Sequence, residues 1–347
     1  MLDLAVIAAA LRKTFDPTVA RLFNRSVIGF SMAEVLAARG PNVQWDATSG
    51  EDVYTEANQA PGADMASRAE DTYVPAVLQF ASYSQELKVM NAALEDAWAS
   101  GNPEDLHDLF KPLVQSKSSL LAARMANDWY AGRGVTTYYE MQGLCTVGGP
   151  LDNDAGALYA GVDRTTYPKW KSNVLANGGN VRKLKTDLID QLEEEIYTSC
   201  GQPVDMYLTT PYLFRKLGQL VGADRMKTQD VFVRGEKITL DHGWHWLDYK
   251  GVPFIRDVRC PAGNIIALNS ATIRIRPRGN SATTYKTLEL EGTPESQRGI
   301  GKLQIVARIV PLANDGDYQR FGFYVYPCSQ VTMPHFNGRI TDLPTSD

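Results

Sequence analysis

The chain carries little that belongs to redox, metal or membrane chemistry. Its 347 residues hold four cysteines, Cys145, Cys200, Cys260 and Cys328, at least 55 residues apart and with no C-x-x-C pair. That spacing excludes a disulfide framework and a zinc ribbon, and predicts reduced, mostly buried thiols in a cytosolic setting. No segment approaches the roughly 18 consecutive apolar residues of a membrane span. The apolar run Leu4 to Leu11 follows Asp3 and precedes Arg12-Lys13, the reverse of the charge order of a secretory signal. A soluble protein that stays where it is made is therefore expected, with no membrane partner. There is no excess of positive charge either. Thirty-five Lys and Arg against 40 Asp and Glu give a net charge of -5, which excludes a strongly basic nucleic-acid binder.

Catalytic signatures are equally scarce. There is no G-x-x-x-x-G-K-[ST] loop, no G-x-G-x-x-G opening a helix after a strand, and no G-x-S-x-G elbow. The best metal candidate is His242-Gly-Trp-His245 with Asp241 and Asp248. On a strand, positions i and i+3 point to opposite faces, so a Trp-rich surface loop is the favoured reading. Cys260 precedes a proline in a turn and lacks a His base nearby in sequence, so an inert thiol is expected. Glu193, Glu194 and Glu195 lie about 100° apart on a helix and form a solvated face rather than an opposed catalytic pair. No cofactor, metal or catalytic residue is assigned. Neither an internal repeat nor a low-complexity tract is present.

What the sequence does contain is pattern and a lopsided charge. Val43, Trp45 and Ala47 alternate with polar residues, as do Val74, Ala76, Leu78 and Phe80, so two strands are expected. Pro75 confines the second to an edge or a two-stranded ribbon. The 23 residues between them, 49–71, carry Glu51, Asp52, Glu56, Asp64, Glu70 and Asp71 against Arg68 alone. That is far longer than a hairpin needs. Over 46–108 there are thirteen acids against two bases, a net of -11 that leaves +6 for the rest of the chain. Basic runs that could answer the acids lie elsewhere: Lys169 and Lys171, Arg182-Lys183-x-Lys185, and Arg274-x-Arg276-x-Arg278.

Helical spacing is expected at 4–11 and again at Met32, Val35 and Leu36, before Gly40-Pro41. The clearest element follows. Asn102, Pro103, Glu104 and Asp105 read as a cap, a first-turn proline and two acids facing the positive end of the dipole. Leu106, Leu109, Phe110, Leu113, Val114, Leu120, Leu121, Met125 and Trp129 then form a stripe that ends at Gly132. Its 29 residues span about 43 Å, and Pro112 predicts a kink. Further helices are expected at 183–199 and 211–221, around a strand at 206–209. Strands are expected at 231–233, 238–240, 252–255, 265–268, 273–275, 303–310 and 321–326, which makes the chain α+β.

Two stretches add a resemblance. Leu158-Tyr159-Ala160-Gly161-Val162-Asp163-Arg164-Thr165-Thr166-Tyr167-Pro168-Lys169-Trp170, with Leu175-Ala176-Asn177-Gly178-Gly179 after it, resembles a stretch of tailed-phage major capsid proteins. So does Tyr249-Lys250-Gly251-Val252-Pro253-Phe254-Ile255-x-Asp257, followed by Cys260-Pro261-Ala262-Gly263-Asn264-Ile265-Ile266-Ala267-Leu268-Asn269. The resemblance implies the Hong Kong ninety-seven-like shell fold. Residues 1–42 would be the N-terminal arm and 43–88 the extended two-stranded loop that lies over an adjacent subunit. The peripheral domain would comprise 89–145 and 271–347, with spine helix 103–132, and the axial domain 146–270.

The function so implied is mechanical. Hexamers and pentamers close into an icosahedral head around double-stranded DNA, in a virion assembled in the host cytoplasm. Portal, separate scaffold and possibly decoration proteins would be further partners. Some members crosslink through a loop lysine, but no Lys occurs between Lys13 and Lys88, so non-covalent contacts are expected. Candidate inter-subunit residues are Glu51, Asp52, Glu56, Asp64, Glu70 and Asp71 against Arg164, Lys169, Lys171, Arg274 and Arg276. Arg12, Lys13, Arg21 and Arg25 are candidates to face DNA. The alternatives are an encapsulin-like nanocompartment shell, a metal-dependent hydrolase using His242 and His245, and a tail or baseplate component.

Overall fold

The computed structural model describes residues 33–36, 38, 40–48, 73–99, 103–153, 156–222, 226–227, 231–233, 236–238, 246–278, 308–312 and 316–346. The chain runs through β1 (Glu34–Val35), β2 (Asn42–Thr48), β3 (Tyr73–Gln79) and β4 (Tyr83–Met90) into α1 (Asn91–Ala99) and α2 (Pro103–Ala131). A one-turn helix α3 (Val135–Tyr138) precedes β5 (Leu158–Tyr159), β6 (Val162–Asp163) and β7 (Asn173–Leu175). Helix α4 (Thr186–Cys200), β8 (Met206–Thr209) and helix α5 (Pro211–Val221) come next. Strands β9 (Met226–Lys227), β10 (Val231–Val233), β11 (Glu236–Ile238), β12 (Trp246–Tyr249), β13 (Val252–Arg256) and β14 (Ile265–Leu268) follow. The chain ends with β15 (Ile273–Pro277), β16 (Arg308–Pro311), β17 (Tyr318–Val325), β18 (Pro327–Val331) and β19 (Gly338–Ile340).

A seven-stranded mixed sheet in the order β7-β19-β14-β8-β13-β12-β9 organises the core. Its strands are apolar at successive positions, so both faces must be covered. Met206, Leu208, Ile255, Ile266 and Leu268 point to one cluster, which includes Met125, Trp129 and Tyr130 of α2. Tyr207, Phe254, Ile265, Ala267 and Ile340 point to the other, against Ile189, Leu192 and Ile196 of α4 and Leu213, Phe214 and Leu217 of α5. Tyr207 and Phe254 stack there at 4.2 Å. Because side chains alternate with a period of two, a one-residue slip of any strand would exchange the two cores.

Helix α2 continues through Pro112 to Ala131. Among its described side chains, Phe110, Leu121, Ala122, Met125, Ala126, Trp129 and Tyr130 are the buried apolar ones, and Asp128 is buried as well. Leu120 stands 55% exposed instead of joining them, because the stripe runs through the two alanines on its other side. Phe110 meets Phe321 of the three-stranded sheet β16-β17-β4 edge to face at 6.0 Å. Over the described residues 33–36 the expected helix is absent. Glu34–Val35 pairs in parallel with Arg274–Ile275 and Leu36 N–H donates to Ile275 O at 3.0 Å, so sheet pairing overrides the local spacing. Of the strand expected at 238–240, Ile238 ends β11, which pairs with β10, and residues 239–240 lie outside the described residues. Residues 4–11 and 303–307 lie outside the described residues.

The last strand is three residues long and sits inside the large sheet. β19 is parallel to β7 on one side and antiparallel to β14 on the other. The chain after 271 therefore divides, with β15 and β18 in one three-stranded sheet, β16 and β17 in the other, and β19 in the seven-stranded one. Asn337, fully buried, accepts from Asn269 N at 2.8 Å and donates to Thr272 Oγ1 at 2.9 Å. Arg339 donates to Cys145 O at 2.9 Å, and Leu343 N–H to Gly263 O at 3.1 Å. Gly263 adopts φ +72°, and a Cβ there would come 2.7 Å from Leu343 O, so no other residue fits this crossing.

Two buried tyrosine–aspartate pairs fix the end of α2. Tyr83 Oη donates to Asp128 Oδ2 at 2.7 Å and accepts from Met141 N at 3.0 Å. Tyr130 Oη donates to Asp257 Oδ2 at 2.7 Å. Burial raises the pKa of both carboxyls, and the hydrogen bonds they accept only partly offset it. Asp342 is held below its ordinary value, chiefly by backbone N–H groups of Asn177 and Gly179. A raised carboxyl binds its proton in the folded state at a pH where the unfolded chain has released it. Stability withheld at neutral pH by Asp128 and Asp257 is therefore regained as pH falls through their raised values. The contribution of Asp342 is lost only further down, below the ordinary carboxylate range. In urea titrations between pH 7 and about 4.5, Asp257→Asn is expected to flatten the rise in unfolding free energy on acidification.

Candidate inter-subunit surfaces

The acidic loop is carried on a two-stranded ribbon. β2 and β3 pair antiparallel in unbroken register from Asn42↔Gln79 to Thr48↔Tyr73, with Pro75 opposite Asp46. The sheet holds only these two strands, as Pro75 requires. Aromatic packing fixes the base of the ribbon. Trp45 lies 6.4 Å from Tyr159 and 6.2 Å from Trp170, and Tyr159 and Trp170 stack at 5.8 Å. Trp170 Nε1 donates to Tyr159 O at 3.0 Å, and Val77 N–H donates to Ala160 O at 2.8 Å. Ala47 and Ala76 are buried beneath. The ribbon is thus packed against the body from Val43 to Ala47.

The proposed contact residues fare differently. Glu51, Asp52, Glu56, Asp64, Glu70 and Asp71 lie outside the described residues, as do Arg12, Lys13, Arg21 and Arg25. Lys169 and Lys171 are exposed on either side of the buried Trp170, next to the ribbon's footing. Arg274 and Arg276 are half-buried on β15, where Arg276 Nε donates to Gln330 Oε1 at 2.9 Å. Arg164 departs from the expectation. It is 2% exposed and donates to Ala157 O at 3.1 Å and to Gly149 O, closing the β5–β6 turn of its own chain. A guanidinium so enclosed presents nothing to a neighbour, and it leaves the set.

Enzymatic readings gain no geometry. His242 and His245 lie outside the described residues, and among the described residues no three His, Cys, Asp or Glu side chains are grouped to hold a metal. Burial pushes the Cys145 thiol up to about 11 and the Cys328 thiol to about 12, and raises Cys260 as well. Thiols held protonated are poor nucleophiles. Glu194 is exposed on α4 and Glu193 and Glu195 are half-buried, which makes the acidic triplet a surface face. The long helix α2 is not apolar enough to cross a membrane, and no other described helix is either.

No protein-family model matches the chain, and no curated protein does. Solved structures are similar to it along most of its length. The cyanophage A-1(L) capsid asymmetric unit has a TM-score of 0.67 at 17% identity, covering 90% of this chain and 92% of that chain. The capsid of the native GTA particle has a TM-score of 0.53 at 11% identity, covering 94% and 91%. The holo-SrpI encapsulin complex from Synechococcus elongatus PCC 7942 has a TM-score of 0.52 at 11% identity, covering 91% and 86%. At these identities the likeness is one of fold. The chain has the α+β shell fold of capsid and encapsulin subunits.

The footing of the ribbon can be tested directly. Trp45 Nε1 is buried and has no acceptor among the described residues. Trp45→Ala should cost roughly 3 kcal/mol in urea unfolding, through lost aromatic packing. Trp45→Phe keeps most of the ring contact and removes the unpaired donor, so it should cost less than half as much.

Proposed function

We propose that the chain is a major capsid protein, the repeated subunit of an icosahedral phage head that encloses double-stranded DNA. The observation that carries this reading is the likeness to the cyanophage A-1(L) capsid unit over 90% of the chain. The charge pattern supports it. An acidic loop projected from a two-stranded ribbon is suited to contacts with another copy, where many weak identical pairs add up across a closed shell. The subunit is then a mechanical part and not an enzyme. Net charge of -5 also suits a container that must not grip its cargo tightly.

In this reading residues 1–42 form an arm and 43–88 the extended loop. Residues 89–145 and 271–347 form the peripheral domain with α2 as its spine, and 146–270 the axial domain, to which β19 contributes its short strand. Lys169, Lys171, Arg274 and Arg276 are the contact cations for the loop acids, and Arg12, Lys13, Arg21 and Arg25 face DNA. Portal, scaffold and decoration proteins complete the assembly. A second reading, a nanocompartment shell around a protein cargo, is favoured by the SrpI likeness.

Negative-stain images of the purified protein should show closed shells. Particles from its native source should hold nuclease-resistant double-stranded DNA; protein cargo in its place would select the nanocompartment. Monomers alone would overturn both readings, and open tubes would point to a tail component. Reversing Glu51, Asp52 and Glu56 to Lys together should lower the assembled fraction severalfold in sedimentation, with the monomer's circular dichroism unchanged.

A further inference from the structure

A histidine sits beside the turn that carries Trp170. The 3-10 turn Pro168–Trp170 packs against a second one, Pro334–Phe336, which joins β18 to β19 and also packs against α4. Its middle residue, His335, is half-buried. The His335 carbonyl accepts from Asn173 Nδ2 at 2.8 Å and from Ser199 Oγ at 3.0 Å, which fixes the backbone at this point. The imidazole meets the Phe336 ring edge to face at 4.6 Å and lies against the backbone of Lys169. Its Nδ1 is buried and has no hydrogen-bond partner.

This setting suits a neutral ring and not its cation. An imidazolium carries a proton on both nitrogens. The proton on Nδ1 would be a buried donor without an acceptor, which costs its hydration and returns nothing. No acid compensates among the described residues. The elements packed around the ring present Lys169 and Lys171 at the first turn, and Glu195, Tyr197 and Cys200 in residues 195–200 of α4. Of these only Lys169 acts on the ring, and its ammonium opposes a second positive charge. Burial above all, and then that charge, hold the His335 pKa below its ordinary 6.5, against the partial pull of the Lys169 backbone.

We propose that His335 is an acid-sensitive support for the base of the ribbon, holding the turn Pro168–Trp170 in place while neutral and releasing it when protonated. The path is short. Lys169 touches the ring, and the next residue, Trp170, is buried, stacks on Tyr159 and lies 6.2 Å from Trp45 of β2. A ring that must reach water to take its proton parts from Lys169, and Trp170 moves with that turn. The closed site refuses the proton at a pH where the opened site accepts it. The support is therefore whole above the ordinary histidine value of about 6.5 and is lost as pH falls below it. The sign is opposite to that of Asp128 and Asp257, so the effect is local to the turn and distinct from global unfolding. The inference goes beyond the shell reading. Only its consequence for particles rests on that reading, because a loosened ribbon then weakens contacts with a neighbouring copy.

Hydrogen exchange tests the support on dispersed full-length subunits, wild type and His335→Gln, at pH 7.5 and 5.5. Protection factors, corrected for intrinsic rates, are followed over residues 43–47 and 159–171. One pH unit below the ordinary histidine value, a site that binds the proton only when open opens up to about tenfold more often. Wild type should lose severalfold, up to about tenfold, in protection on acidification, and His335→Gln less than twofold. An equal loss in both proteins, or no loss in wild type, would overturn the support. If His335→Gln lacks protection already at pH 7.5, His335→Asn takes its place in the same comparison. Sedimentation of particles at the two pH values tests the shell reading separately. Particles that dissociate at pH 5.5 in wild type and persist in the variant would support both. Wild-type particles indifferent to acid, with the exchange response present, would keep the support and overturn the ribbon as an inter-subunit contact. No particles at either pH would overturn the shell reading and leave the support to the exchange result.

Discussion

A seven-stranded sheet that is apolar on both faces cannot stand in water on either side, and the rest of the molecule follows from covering it twice. One face takes the end of α2 with Trp129 and Tyr130; the other takes α4 and α5. That division decides which surfaces remain for other purposes. The ribbon β2–β3 stands on the Trp45, Tyr159 and Trp170 cluster, which belongs to the first core. The charged outer sides of α4 and α5 lie over the second. The closing strand β19 joins the two, since Ile340 enters one core while Arg339 reaches Cys145 beside the other.

Electrostatics adds direction to this frame. The buried carboxyls, Asp128 and Asp257, answer to tyrosines within the chain and tie helix to sheet. The acids of α4 are a different population: Glu194 is exposed, and Asp190 accepts from Tyr249 and pairs with Lys250 at the sheet's edge. A subunit arranged in this way gains little from any one surface pair. In the proposed shell, where such pairs would repeat through symmetry, they would discriminate between right and wrong neighbours.

Local pattern carried much of the fold. Alternation marked β2 and β3, and a cap with a closing glycine marked α2, because period and punctuation are properties of short segments. Long-range choices were not legible. Val35 and Leu36 look helical until β15 offers a parallel edge. Leu120 looks buried until Ala122 and Ala126 prove to be the side that fits. Gly338–Ile340 has too few residues to show any period. Tyr83–Asp128 and Tyr130–Asp257 join positions 45 and 127 residues apart. Arg164 read as a surface cation because nothing in its sequence neighbourhood announces the carbonyls that enclose it. The acidic loop was legible as charge and length.

The central claim is that the acidic segment 49–71 is satisfied by another copy and not by its own. Hydrogen exchange followed by mass spectrometry, on dispersed subunits and on assembled particles of the same protein, measures this directly. Strong protection of the segment's amides should appear only in the particles. Equal protection in dispersed monomers would place the loop's partner within its own chain and contradict the account.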